Sequence, residues 1–280
     1  MPVFPRLVRL FSCLGFVLAG LACQPALASR PAEAAPLKLG VIAVVANEAT
    51  EFAIREAARQ GLTVELVEFS DWVRPNVALA EGAIDVNFFQ HAPFLQLFNQ
   101  NRGVQLVPVA YGYSTTMGIY SKKLSKGDAI PVRARVAIPS DPVNGARALL
   151  LLQSAGLIAL KEGVTTQATV QDIVANPRQL RIFPIDGALA ARTFDDVDLS
   201  VTYASFAQQA GLAQTDALHY DNTDADNIRR YAIRFVTRPE LVDDPRIQRL
   251  IAIYQHSTQV RALLRKHYGE LVDFAWDLPQ

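Results

Sequence analysis

The sequence predicts an α/β protein of two lobes, each a sheet covered by helices, with a cleft between them. Three observations carry this. Short apolar runs of strand length alternate with helix-length amphipathic stretches along residues 37–200. The texture breaks at Tyr111–Met117, an aromatic and hydroxyl-rich stretch, and the β/α pattern then restarts. Two amphipathic helices close the chain, with the look of elements that fold back on the first half.

The 280 residues suffice for one large or two small cores, and half of them are hydrophobic against 19% charged, a globular composition. The net charge is zero and no basic run exists, which speaks against nucleic acid as a partner. Arg6 and Arg9, then an apolar Leu10–Leu21, then small residues, make the three-part layout of a secretory signal peptide, too short to span a membrane. Residues 1–28 are therefore leader and tether. Cleavage after Ala26-Leu27-Ala28 releases a soluble protein. Cleavage before Cys23, in Leu21-Ala22-Cys23, leaves a lipidated cysteine at the new N-terminus. No cysteine follows Cys23, so disulfides and thiol catalysis are excluded in the remainder.

In order, Leu37–Val45 reads as a buried parallel strand, with Asn47 as N-cap of a helix that Gly61 ends. Thr63–Phe69 is a strand, Val73–Glu81 a short helix, Ala83–Phe89 a strand, His91–Asn101 a helix and Val104–Ala110 a strand. The second lobe contains strands at Arg135–Ile138, Leu180–Phe183 and Asp198–Thr202. Its helices fall at Pro142–Ala155, near Val170–Ala175, near Gly187–Ala191 and at Tyr203–Ala210. His219–Asn227 reads as a polar loop, Tyr231–Thr237 as a strand, and Pro245–Tyr254 and Thr258–Tyr268 as the closing helices. The predicted lobes are 37–113 with 222–280, and 114–221.

Residues 69–95 hold the first candidate site: Asp71, Trp72, Asn76, Gln90, His91 and Phe94 all lie where elements change, the place where α/β scaffolds put ligand contacts. The alternative is a plain βαβ unit. The second is Ser140–Arg147. Ser140, Asp141 and Pro142 mark a helix start, and Arg147 lies early enough to lean towards it. A cation there opposes the helix dipole, which points to an anion held by a two-pronged guanidinium, or else to a salt bridge with Asp141 or another acid. The four histidines lack metal-ligand spacing, and no nucleophile, zinc or phosphate-loop motif is present, so no metal, cofactor or catalytic set is expected. Asp195, Asp196 and Asp198, and likewise Asp221, Asp224 and Asp226, lack the glycine and closing glutamate of a calcium loop.

Taken together, Phe69-Ser70-Asp71-Trp72-Val73-x-Pro75-Asn76, Gly82-x-Ile84-Asp85, Phe89-Gln90-His91-x-Pro93-Phe94-Leu95, Ile119–Lys123 and Asp141-Pro142-x-Asn144-x-x-Arg147 resemble the NlpA-type lipoprotein family. Its best-known members are methionine-binding receptors of bacterial ABC importers. The resemblance implies a type II periplasmic-binding-protein fold that closes on one small amino-acid-like or anionic ligand. It also implies export to the periplasm or outer membrane face, a permease with its ATPase as partners, a monomer, and no enzymatic activity. It implies pocket walls at His91, Phe94 and Trp72, with Asn144, Thr115 and Tyr203 in the ligand-binding set and Arg147 as carboxylate clamp. The chain departs from the family where it matters for the ligand. Tyr203 and Ile233 stand where relatives have asparagines that hold the amino group, and Thr115-Thr116 replaces Tyr-Pro. These departures argue against an α-amino group and make methionine one candidate among several. The rival readings are a surface lipoprotein with no transport role, and an exported enzyme using His91 with an aspartate.

Overall fold

The computed structural model describes residues 35–221 and 224–278; the leader, both cleavage points and Cys23 lie outside them. Strand β1 (Leu37–Ile42) is buried at every residue but Lys38, because a parallel strand covered by helices on both faces has no solvent side. It stops three residues short of the expected Val45. Helix α1 (Asn47–Arg59) follows, and Asn47 is not its N-cap: Ala46 holds that position without a side-chain bond. The Asn47 amide is buried and donates instead to the Ile42 carbonyl (2.9 Å) and Glu68 Oε1 (3.2 Å), tying the ends of two strands together.

The next elements are β2 (Val64–Phe69), α2 (Arg74–Ala80), β3 (Val86–Gln90), α3 (Ala92–Arg102) and β4 (Val107–Tyr111). β5 (Tyr113–Thr115) leads to the second half: β6 (Met117–Tyr120), β7 (Arg135–Pro139), α4 (Pro142–Ser154), β8 (Ala159–Leu160), β9 (Ile173–Ala175), β10 (Arg181–Ile185) and β11 (Leu199–Tyr203). Then come α5 (Ala204–Gln209), β12 (His219–Tyr220), α6 (Ala225–Tyr231), β13 (Arg234–Thr237), α7 (Pro245–His256), α8 (Thr258–Tyr268) and β14 (Val272–Phe274).

The first sheet runs β2-β1-β3-β13-β4 and the second β10-β7-β11-β6-β12, so there are two sheet-bearing lobes. In the first, β1 pairs parallel with β2 and β3, while β13 lies antiparallel between β3 and β4. In the second, β7 pairs parallel with β10 and β11, and β6 is antiparallel to β11 and β12. Both therefore have the parallel core with antiparallel margin common in mixed sheets. The last two helices do pack on the first lobe. Ala49, Ala53 and Ala57 of α1 are fully buried and belong to one core with Ile247, Leu250, Val260 and Leu264. Small side chains at every fourth residue form one helical stripe, which allows close helix approach.

Two further expectations change. Val170–Ala175 is a single 3-10 turn followed by β9, which pairs with β8, so the run is a strand edge and not a helix. Residues 225–231 form α6, capped by Asp224, inside what reads as a polar loop and strand start. Only Ile228 and Tyr231 are buried there, too short an apolar stripe to stand out. Between the sheets, β5 pairs antiparallel with β14. Gly112, just before it, is forced: a Cβ would lie 2.3 Å from the Phe88 ring.

Candidate functional site

Two helix starts define the site. β3 ends at Gln90, and His91 is the N-cap of α3: its Nδ1 accepts the Phe94 N–H at 3.3 Å. Asp141 caps α4 in the same way, accepting the Asn144 N–H at 2.9 Å. Each cap satisfies an otherwise orphaned first-turn donor, and each brings a polar side chain to the space between the sheets. There His91 Nε2 meets Asn144 Oδ1 at 3.0 Å, a bond from one lobe to the other. Since Nδ1 accepts, the neutral ring must carry its proton on Nε2, which donates to Asn144. The asparagine amide nitrogen turns away to both Asp141 oxygens at 3.1 Å. Its oxygen also accepts from the Tyr203 hydroxyl at 2.7 Å.

Around this polar seam lies a cavity of about 790 Å³, open space at its mouth included. Trp72, His91, Phe94, Thr115, Asn144 and Tyr203 all line it. Trp72 reaches from the first lobe to the second, edge-on to Tyr203 (6.3 Å) and tilted against Phe206 (5.9 Å). It rests on Gly187, where a Cβ would sit 2.2 Å from the indole. Aromatic rings at such separations contribute beyond their buried area. Other residues named in the sequence have structural partners. Asp71 accepts the N–H groups of Val73 and Arg74 before α2. Asn76, Asn87 and Gln90 form a buried amide triad among themselves.

Arg147, expected as the carboxylate clamp, has protein partners in the structure. The residue is buried at 4% exposure and is not on the cavity wall. Its Nε donates to Asp221 Oδ2 at 2.6 Å and its Nη2 contacts the same carboxylate. Its Nη1 donates to the Tyr203 hydroxyl at 3.2 Å, and the Tyr231 ring covers its face with the centroid 3.8 Å from Cζ. The salt-bridge alternative, to Asp141 or another acid, is met by Asp221. The physical reason is burial: a guanidinium keeps its charge, so it must be paired where water is excluded. Asp221 reads as one of several loop aspartates, and no spacing connects it to Arg147, 74 residues away. Tyr231 and Phe206, also on the cavity wall, carry no sequence signal beyond being aromatic.

The cavity wall carries no formal charge. Its lining holds no Asp, Glu, Lys or Arg. Burial, aided by the Arg147 charge, pushes the His91 imidazole down to about 3, so it is neutral at physiological pH. Burial pushes the Tyr203 hydroxyl up against the pull of Arg147. Burial also lifts the Asp221 carboxyl above its ordinary value, an effect that Arg147 only partly offsets. Chemically the arrangement offers aromatic faces, neutral hydroxyls and amides. Among the described residues no group of three His, Cys, Asp or Glu side chains is placed to hold a metal, and no helix is long and apolar enough to cross a membrane.

Residues 37–276 match the NlpA lipoprotein family. The chain is 37% identical over 231 residues to the D-methionine-binding lipoprotein MetQ of Yersinia pestis, covering 80% of this chain and 84% of that protein. Among solved structures, a periplasmic substrate-binding protein of an ABC transporter from Coxiella burnetii superposes with a TM-score of 0.78 at 37% identity, covering 85% of this chain and all of that one. A nutrient-binding protein from Burkholderia cenocepacia bound to methionine superposes at 0.78 with 35% identity, covering 85% and 99%.

Proposed function

The chain belongs to the NlpA lipoprotein family, and from that premise we propose that it is the extracytoplasmic solute-binding protein of an ABC importer and not an enzyme. The observation that carries the reading is the aromatic cavity between two sheet-bearing lobes, bridged by the His91–Asn144 bond. Its occupant is a small, amino-acid-like solute. Trp72, Phe94 and Thr115 would surround its apolar body, with His91, Asn144 and Tyr203 at its polar end and Arg147 acting from behind Tyr203. Methionine is the candidate that the named relatives favour.

In this reading residues 37–113 with 222–280 form one lobe and 114–221 the other. The lobes swing about the segments near Tyr113–Gly118 and Tyr203. Closure over the solute presents a surface that a permease and its ATPase distinguish from the empty form. The exported chain is held at the membrane through Cys23 if cleavage precedes that residue. Fatty-acid labelling of the protein and of Cys23→Ser checks the anchor, since loss of label in the variant is expected.

Native mass spectrometry of the purified protein, followed by calorimetric titration of the released solute and of both methionine enantiomers, tests the function. One small solute per chain, with binding lost in Trp72→Ala, is expected. A protein that carries and binds no small solute would overturn the assignment.

A further inference from the structure

Among the described residues no Asp, Glu, Lys or Arg lines the cavity, and the guanidinium just behind its wall is already paired. Arg147 gives its Nε and Nη2 edge to Asp221, its Nη1 to Tyr203 and its face to Tyr231. Asp221 is itself held, since its Oδ1 accepts the Met117 N–H at 3.0 Å. The screen between Arg147 and the cavity is equally committed. The Tyr203 hydroxyl accepts from Arg147 and donates to Asn144, whose oxygen also takes the His91 N–H. An entering carboxylate therefore finds no charged donor. To reach one it must displace Asp221, leaving that largely buried acid its Met117 and Asn227 hydrogen bonds but no countercharge, a costly way to break an ion pair. For an ammonium group, the two positions where the resemblance places asparagines offer no amide oxygen: Ile233 is apolar, and the Tyr203 hydroxyl already accepts from Arg147. A neutral head group meets none of these penalties, because amides and hydroxyls on both sides can pair without separating charge.

We propose that Asp221 and Tyr203 determine the ligand's charge: by holding the Arg147 guanidinium within the protein they make this receptor prefer a solute with an uncharged head, such as an amide, ester or alcohol on an apolar amino-acid-sized body, over the free carboxylate. The proposal rests on the solute-receptor reading above and, within it, ranks methionine below an uncharged analogue.

The test uses three probes of one size, γ-(methylthio)butyramide, γ-(methylthio)butyrate and methionine, titrated calorimetrically into the purified protein, Asp221→Asn and Tyr203→Phe. The wild type should bind the amide at least about tenfold more tightly than the butyrate or methionine. Asp221→Asn should shift that ratio about tenfold towards the carboxylates, and Tyr203→Phe should shift it the same way by less. Equal or tighter binding of a carboxylate by the wild type overturns the proposal. So does an unmoved ratio in a folded Asp221→Asn; should that variant not fold, the wild-type ratio and Tyr203→Phe decide. Failure of all three probes to bind also overturns it. In that event a solute released in native mass spectrometry leaves the receptor reading standing, and its absence removes both.

Discussion

The starts of α3 and α4 face each other across the cleft and solve one problem in opposite ways. Each helix follows a strand, has a polar N-cap and a proline in its first turn, and belongs to a segment that buries an ionisable side chain, His91 at 5% exposure and Arg147 at 4%. At His91 burial removes the charge, because imidazole has a neutral form within reach. At Arg147 it cannot, since a guanidinium does not deprotonate in proteins, and the fold instead brings in Asp221 from 74 residues away. A burial environment is thus satisfied by titration where the side chain allows it, and by a distant countercharge where it does not.

Breaking the Arg147 side should have the largest effect. Arg147→Ala strands Asp221 in a buried site and should cost about 3–5 kcal/mol in urea denaturation. The pair replacement Arg147→Met with Asp221→Leu should recover most of that loss, because removing both charges removes the penalty. A single variant with near-wild-type stability would show that water or another group already compensates Asp221.

The His91 side shows itself through pH. With its folded value depressed from 6.5 to about 3, the unfolded chain takes up the proton first as pH falls. Stability from this group is therefore whole above about pH 6.5 and is lost as pH drops towards 3, amounting to about 3 kcal/mol between pH 7 and pH 4. His91→Gln should flatten the stability–pH slope in that window relative to wild type, measured as urea midpoints at several pH values. An identical slope would mean that His91 is protonated in the folded protein.

The seam between the two sides is the next largest. Asn144→Ala removes the shared acceptor of His91 and Tyr203 and a donor to Asp141, at a cost of about 1–3 kcal/mol. Smallest is Tyr203→Phe, which deletes one hydroxyl between Arg147 and Asn144 and should cost about 1 kcal/mol in the same assay. An Asn144→Ala protein as stable as wild type would indicate that the lobes do not rely on this seam.

Much of this was readable in the sequence where physics is local. The Pro93 and Pro142 helix starts, the buried run of β1 and the closing helices follow from φ restriction, strand burial and helical periodicity, which need only neighbouring residues. Element ends singled out Asp71, Trp72, Asn76, Gln90, His91 and Phe94, of which Trp72, Gln90, His91 and Phe94 line the cavity, while Asn144 came only with the family resemblance. Reading failed where a partner lay on another element. Asn47 has the composition of a cap, but its amide is claimed by Ile42 and Glu68. Residues 173–175 become a strand because β8 is there to pair with them. Ser140–Arg147 by itself determined a helix start carrying a cation that needs an anion. Only the tertiary structure showed that Asp221 is a counterion to it, because a charge sequestered from water takes the counterion that the fold delivers.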